Sequence, residues 1–282
     1  MSTIKKIRNR LLRILPSDAI TFIRKIKRLG MEHHGNPEIP KEELRIFTLL
    51  KDRLSVVFDV GAREDLVFYT IHPDCSYHLF EPNIRAIASL KKQMALFPKH
   101  DIILNEFGLS DKDEDNCVYY EESQSFVVNP NHKGKDTGIR YSLRRLDEYV
   151  SSNNIEKIDF LKIDAEGFDY KIILGGIETV RTKVSFLQFE YWDGVKKFKE
   201  ILDTTFDLYL IMEQGLLETI RDEERLLTAD QKQKNYRTSL IPLDDGVVDL
   251  IDRVFVPIGW NGNILCIKKG TAGTERLIFD IA

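Results

Sequence analysis

Short apolar runs of strand length recur along the chain, and several of them stop at an acid. Ile158, Phe160, Leu161 and Ile163 form one such run, closed by Asp164, Glu166 and Gly167. From Phe168 the spacing turns helical, with Phe168, Ile172 and Leu174 or Gly175 on one face. A strand is therefore predicted to deliver carboxylates to its own C-terminal end before the chain runs back as a helix. Val56–Gly61 (VVFDVG), Tyr77–Pro82 (YHLFEP) and Val184–Glu190 (VSFLQFE) repeat the layout, with Asp59, Glu81 and Glu190 in corresponding places. Ligands of open parallel α/β sheets sit outside the carboxyl ends of the strands, so these acids predict one shared crevice.

The remaining periodicity completes an alternating pattern. Helices are expected over Lys41–Arg53, Asn83–Ala95, Leu143–Val150 and Val195–Leu202, and further strands over Ile102–Leu104, Asp207–Met212 and Asn263–Lys268. Leu66–Ile71 is an apolar stretch that Pro73 ends. Asp111–Arg144 reads as a polar loop with a strand-like CVYY inside it, and it could hold His132 near a substrate or leave it uninvolved. A connector as long as Glu213–Gly262 is expected to carry a helix, Leu216–Gln231, and to lie over the substrate side as a lid. Tyr236, Arg237, Trp260 and Asn261 would there either contact a polar acceptor or form the lid's own small core. The pattern predicts a single mostly parallel α/β sheet with helices on both faces and a closing antiparallel pair.

Composition narrows the class. With 282 residues, 43% of them apolar, the chain is long enough for one large domain, or one domain with an appended segment, and no run reaches the length of a membrane-spanning helix. Three distant cysteines, Cys75, Cys117 and Cys266, suit neither a disulfide framework nor a metal knuckle, so a reducing, cytoplasmic compartment is expected. The net charge of −4 is uneven: residues 1–30 carry nine Lys or Arg against one acid, and the rest 32 against 44. Ile4, Ile7, Leu11, Leu12 and Leu15 recur at helical spacing among those cations, Pro16 stops the pattern, and a second helix is expected from Asp18 to Leu29. This basic arm either packs on the body or on another subunit, or makes peripheral contact with an anionic membrane face or a nucleic acid. The expected organisation is an arm over 1–30, a linker and leading helix over 31–53, and a main α/β domain over 54–282 with a lid insert at about 213–262. His33 and His34 in the linker lack nearby metal-binding partners.

Taken in series, DVGA (59–62), FEP (80–82), Leu146–Asp147, LKIDAEGFD (161–169) and FE (189–190) resemble the FkbM family of S-adenosylmethionine-dependent methyltransferases over roughly Leu54–Glu190, most specifically in the LKIDAEG block. The resemblance implies a seven-stranded Rossmann-like methyltransferase sheet whose last strand is antiparallel. It also implies S-adenosylmethionine as cofactor, held by Asp59, Gly61, Ala62, Arg63, Glu81, Pro82, Asn83 and the Glu106, Gly108, Leu109 loop. Sequences of this family usually continue Gly-Ala-Asn with a second glycine, where this chain has Arg63 and Asp65.

Methyl transfer from a sulfonium is an in-line displacement that depends on positioning, and a hydroxyl acceptor needs its proton taken. Asp164, Glu166 and Glu190 are the candidates: one accepts the proton, or two or more hold a divalent cation that polarises the hydroxyl. Asp164 and Glu166 could equally cap the helix that follows Gly167, and Glu81 could cap the helix after Pro82 instead of binding ribose. The expected activity is O-methylation of a sugar, glycolipid or polyketide hydroxyl. The alternative is a binding or scaffold protein that has lost activity, motivated by Arg63 and Asp65. A nucleic-acid substrate is disfavoured by the acidic body and by the lack of an Asn-Pro-Pro-aromatic tetrapeptide.

Overall fold

The computed structural model describes residues 43–64, 66–98, 101–121, 135–213, 238–258 and 261–272. The basic arm, His33 and His34, Asp65, His132, the helix expected at 216–231, Tyr236, Arg237 and Trp260 lie outside them. The chain divides into two compact units, one of Leu50–Tyr191 with Cys266–Lys268, the other of the described residues in Met1–Leu49, Trp192–Leu265 and Lys269–Ala282.

The larger unit is built on five parallel strands: β1 (Val56–Val60), β2 (Ser76–Phe80), β3 (Ile102–Asn105), and, further along the chain, β7 (Ile158–Ile163) and β8 (Val184–Tyr191). Their order is β8-β7-β1-β2-β3, so the strand after β3 in this sheet returns to the other side of β1. Such a reversal opens a crevice at the strand ends. β7 is buried at every position, as a central parallel strand covered on both faces must be. Its one early acid, Asp159, is structural: the carboxylate accepts from Ser55 N at 2.9 Å and Val56 N at 3.1 Å, tying β7 to the entry of β1.

Between the strands run α2 (Val67–Ile71), α3 (Ile84–Met94), α4 (Leu146–Ser152), α5 (Asp169–Gly175) and α6 (Ile177–Lys183). The Leu-Asp pair at 146–147 has a local cause. Asp147 accepts from Thr179 N at 2.8 Å and caps α6, while Leu146 packs so closely on Gly176 that a Cβ there would lie 2.6 Å from it.

Two expectations for Asp111–Arg144 need correction. The segment's described parts are largely strand instead of polar loop: β5 (Glu114–Glu121) and β6 (Lys135–Arg144) pair antiparallel and join the short β4 (Gly108–Leu109) in a separate three-stranded sheet. Leu143 accordingly lies within β6, opposite Gly108, instead of starting a helix, and α4 begins at Leu146. Charged residues on the exposed strand faces hid the alternation.

The smaller unit contains α1 (Glu43–Leu50, whose last residue falls in the larger unit), α7 (Lys196–Leu202), β9 (Phe206–Glu213), β10 (Thr238–Pro242), α8 (Asp245–Leu250) and β11 (Gly262–Lys268, whose last residues fall in the larger unit). The seven expected strands all form. β10, antiparallel to β9, adds one inside the segment read as a connector. Asp252 caps α7 through Val195 N at 2.7 Å, and Asp244 caps α8 through Val247 N at 2.8 Å.

Gly175 tests this packing. A Cβ there would sit 1.9 Å from Ser110 O, so Gly175→Ala is expected to destabilise by about 3 kcal/mol or more in urea unfolding. Gly138 has φ +77° and open space around it, and Gly138→Ala is expected to cost only about 1 kcal/mol. Equal losses for the two would show that the close approach at Gly175 does not constrain the fold.

Candidate active site

The register of the parallel strands explains why the acids converge. Leu79, Asp59, Lys162 and Gln188 are cross-strand partners along β2, β1, β7 and β8. Side chains alternate faces, so two residues further on, Glu81, Gly61, Asp164 and Glu190 form the next row on that face. The ladder continues to this row, with Gly61 N donating to Phe80 O at 2.9 Å, Asp164 N to Val60 O at 3.0 Å and Glu81 N to Asn105 O at 3.1 Å.

A cleft of about 280 Å³ opens at this edge of the larger unit. Of the residues singled out from sequence, Gly61, Arg63, Glu81, Pro82, Asn83, Gly108, Leu109, Asp164 and Glu166 line it. Asp59, Ala62, Glu106 and Glu190 are not among the lining residues. Asp59 lies one row below, buried, with Lys162 Nζ 3.8 Å away. Glu106 pairs with Lys91 at 2.6 Å on the surface, and Glu190 N donates to Asp169 Oδ1 at 3.2 Å. Glu64, Leu143, Phe168 and Ile172 also line the cleft and were not picked out as site residues. Phe168 and Ile172 had a signal in their helical spacing after Gly167, whereas Leu143 had none, since its strand was unrecognised.

Gly61 is required by geometry. Its φ is +81°, and a Cβ would stand 2.0 Å from Asp164 O, so the β1 turn lies directly against the end of β7. Glu81 is almost fully buried. Each of its carboxylate oxygens accepts one backbone N–H, Oε2 from Arg63 at 2.9 Å and Oε1 from Asn83 at 2.8 Å. It therefore spans the turn after β1 and the start of α3, where Asn83 is the N-cap. The capping and ligand-binding readings of Glu81 are compatible, because a carboxylate offers about four acceptor sites and two are used. Burial pushes its carboxyl up to about 7, against those two hydrogen bonds.

Asp164 has Lys162 Nζ 3.5 Å from Oδ2 and Arg63 Nη2 3.8 Å from Oδ1; the Lys162 ammonium also lies over the Phe68 ring. Arg63 pairs in addition with Glu166. The divalent-cation alternative finds no support here, since no group of three or more His, Cys, Asp or Glu among the described residues could hold a metal ion. Sequence reasoning also passed over Asp169. It is buried at the start of α5 with Oδ2 lacking a hydrogen-bond partner, and burial first, then the nearby Asp164 charge, push its carboxyl up to about 7.

A parallel sheet with a glycine turn after its first strand, an acid after its second and a cleft over both is a Rossmann-like cofactor-binding architecture. The Methyltransferase FkbM domain model matches residues 59–211, and the chain belongs to this family of methyltransferases. The 2-O-methyltransferase NoeI of Sinorhizobium fredii is 26% identical over 202 residues, which span 62% of this chain and 82% of that protein. Two solved structures show weaker likeness. The methyltransferase FkbM from Methylobacillus flagellatus KT has a TM-score of 0.38 at 13% identity, covering 77% of this chain and 52% of that one, so the match spans about half of its length. An rRNA methylase from Streptococcus thermophilus has a TM-score of 0.39 at 12% identity, covering 82% and 98%.

Asp169 gives a signed prediction. Its folded carboxyl titrates about 7 against an ordinary 3.8, so the unfolded chain loses that proton first, and stability falls as pH rises between those values. Asp169→Asn keeps the acceptor for Glu190 N and removes the charge. At pH 8 it is expected to stabilise by on the order of 3 kcal/mol and to flatten the pH dependence of urea unfolding. A variant less stable than wild type at pH 8 and equal to it at pH 4 would show that the ionised group stabilises the fold.

Proposed function

We propose that the protein is an S-adenosylmethionine-dependent O-methyltransferase acting on a hydroxyl of a sugar, glycolipid or polyketide-type acceptor. The observation that carries the cofactor assignment is Glu81, held at the cleft by two backbone donors with acceptor capacity to spare for the two hydroxyls of a ribose. The rest of the lining fits the same group. Gly61 lets backbone approach closely, while Pro82, Gly108, Leu109 and Leu143 supply an apolar wall for a flat base. When bound, S-adenosylmethionine supplies an electrophilic methyl group on a sulfonium.

The chain's own residues then have positioning and proton-accepting tasks. Asp164 is the favoured proton acceptor, because it lines the cleft and its Oδ1 makes no hydrogen bond. Lys162 at 3.5 Å holds the opposite oxygen and orients the group. Glu166 is engaged by Arg63, and Glu190 stands beside Asp164 in the same strand-end row. The O-methyl assignment is supported by the likeness to a 2-O-methyltransferase. The scaffold alternative gains nothing from Arg63, which is 60% exposed and leaves a cleft of about 280 Å³ beside it.

The reading includes the basic arm over residues 1–30 as a peripheral contact with anionic membrane. Among the described residues no helix is long and apolar enough to cross a membrane. Salt-sensitive cosedimentation with anionic vesicles, lost on deleting residues 1–30, is the expected behaviour, and unchanged sedimentation of the truncated chain would remove the contact from the proposal.

Calorimetric titration with S-adenosylhomocysteine tests the cofactor assignment. Micromolar binding is expected, weakened about 10- to 100-fold by Glu81→Ala. An ionised Glu81 can accept hydrogen bonds from both hydroxyls, so affinity is expected to fall as pH drops below about 7, by up to about tenfold per unit, and to lose this dependence in Glu81→Gln. Absence of saturable binding would overturn the assignment.

A further inference from the structure

The turn after β1 is held at two places by the segment that follows β2. At the cleft, Arg63 N donates to Glu81 Oε2 at 2.9 Å. One residue further on, the carbonyl of Glu64 accepts from Ser89 Oγ at 3.0 Å and from Gln93 Nε2, which also lies 3.4 Å from Ser89 Oγ. A carbonyl oxygen has two acceptor sites, and α3 fills both. Helical spacing lets the two side chains act together: Ala86, Ser89, Leu90 and Gln93 fall at i, i+3, i+4 and i+7 along one face of α3. Ala86 and Leu90 are buried, with Ser89 and Gln93 half-buried beside them. Ala86 lines the cleft, whereas Ser89 and Gln93 are not among the lining residues and act on it through the main chain they hold.

The backbone of the turn explains why an anchor is needed there. Arg63 has φ +54°, in the left-handed region, which a side chain with a Cβ disfavours. Gly61, at +81°, adopts that region without the penalty. Released at Glu64, the chain would relax about Arg63 toward the ordinary region, and Arg63 N would leave Glu81. Glu81 would then keep one backbone donor, Asn83 N at 2.8 Å. The anchor on α3 and the acid at the cleft are thus coupled through the main chain of two adjacent residues, Arg63 and Glu64.

We infer that Ser89 and Gln93 are positioning residues for the cofactor site, a clamp on the Glu64 carbonyl that keeps the β1 turn, and with it Glu81, in the geometry that receives the ligand. This rests on the assignment of S-adenosylmethionine to the cleft. α3 then serves the site twice, through its N-cap Asn83 on Glu81 and through Ser89 and Gln93 on the turn, so that turn, acid and helix form one frame.

Calorimetric titration of the full chain with S-adenosylhomocysteine tests the clamp in Ser89→Ala/Gln93→Ala. Losing both hydrogen bonds leaves the turn in its receiving shape about a tenth of the time, so Kd is expected to rise about tenfold. Alanine suits the interior of a helix, and the urea midpoint is expected to stay near that of wild type. The second readout is pH. The charges facing Glu81 come from Asp59 on β1 and Arg63 in the turn, and the Arg63 N–H bond draws its carboxyl down against burial. Without that bond the carboxyl rises above about 7, so the loss of affinity on acidification is expected to begin at higher pH in the variant. Ser89→Thr keeps the hydroxyl and is expected to bind within about threefold of wild type. An unchanged Kd in the double variant, or weaker binding with an unmoved pH profile, would overturn the inference and leave the cofactor assignment standing. A wild-type chain without saturable binding would overturn the assignment itself. Should the double variant lack cooperative unfolding, Ser89→Ala decides the matter, with an expected rise of about threefold in Kd and the same direction of pH shift.

Discussion

The site depends on how closely β1 and β7 run to their ends. Gly61 lies against the carbonyl of Asp164 with no room for a Cβ, and Asp164 N donates back to Val60 O. This contact fixes the β1 turn over the end of β7 and so sets the spacing between the two groups of polar residues that follow, Arg63 on one side, Asp164 and Glu166 on the other. Glu81 then clamps the turn from the β2 side through Arg63 N. Three strand ends are held by main-chain contacts, and the side chains that face the cleft inherit their positions from them.

A cost accompanies this arrangement. Lys162 is buried within β7 where an aliphatic residue would pack without desolvation, and the carboxylates of Asp59 and Asp164 at 3.8 and 3.5 Å offset its charge. Beside it on β8, Gln188 is fully buried with neither side-chain polar atom hydrogen-bonded to protein, and Asp169 keeps one oxygen in the same condition. Buried groups of this kind are destabilising unless something else satisfies them. Among the described residues most of these groups gather on β1, at the end of β7, on β8 and at the start of α5, and Asp164 among them lines the cleft, as groups at a candidate site do.

Much of this was legible in the sequence because parallel strands write their ends plainly. A buried run that stops at an acid and a glycine specifies both the strand and the edge of the sheet, and Asp164, Glu81 and Gly61 were placed on that signal alone. What escaped falls into two kinds. β5 and β6 have partly exposed faces rich in charge, so their alternation is weak, and Leu143 was lost with β6; β10 is only the five residues TSLIP, too short to show an alternation. Asp59 and Glu106 follow the strand-end pattern yet miss the cleft, because the pattern does not count rows: Asp59 is two residues short of Gly61, and Glu106 turns outward to Lys91. Asp169 was missed for the opposite reason, since an acid in the first turn of a helix has an ordinary role at its dipole.

The row structure also bears on how labour divides among the acids. Glu81, Asp164 and Glu190 share a row, but their immediate surroundings differ. Glu81 is held by two backbone donors, Asp164 lies between a buried ammonium and an exposed guanidinium, and Glu190 has its backbone tied to Asp169. A carboxylate fixed by neutral donors suits recognition of neutral hydroxyls. One placed between cations of unequal burial can keep its orientation through the buried partner when the exposed one is recruited elsewhere. Asp164 thus keeps its link to the buried Lys162 whichever partner the exposed Arg63 takes.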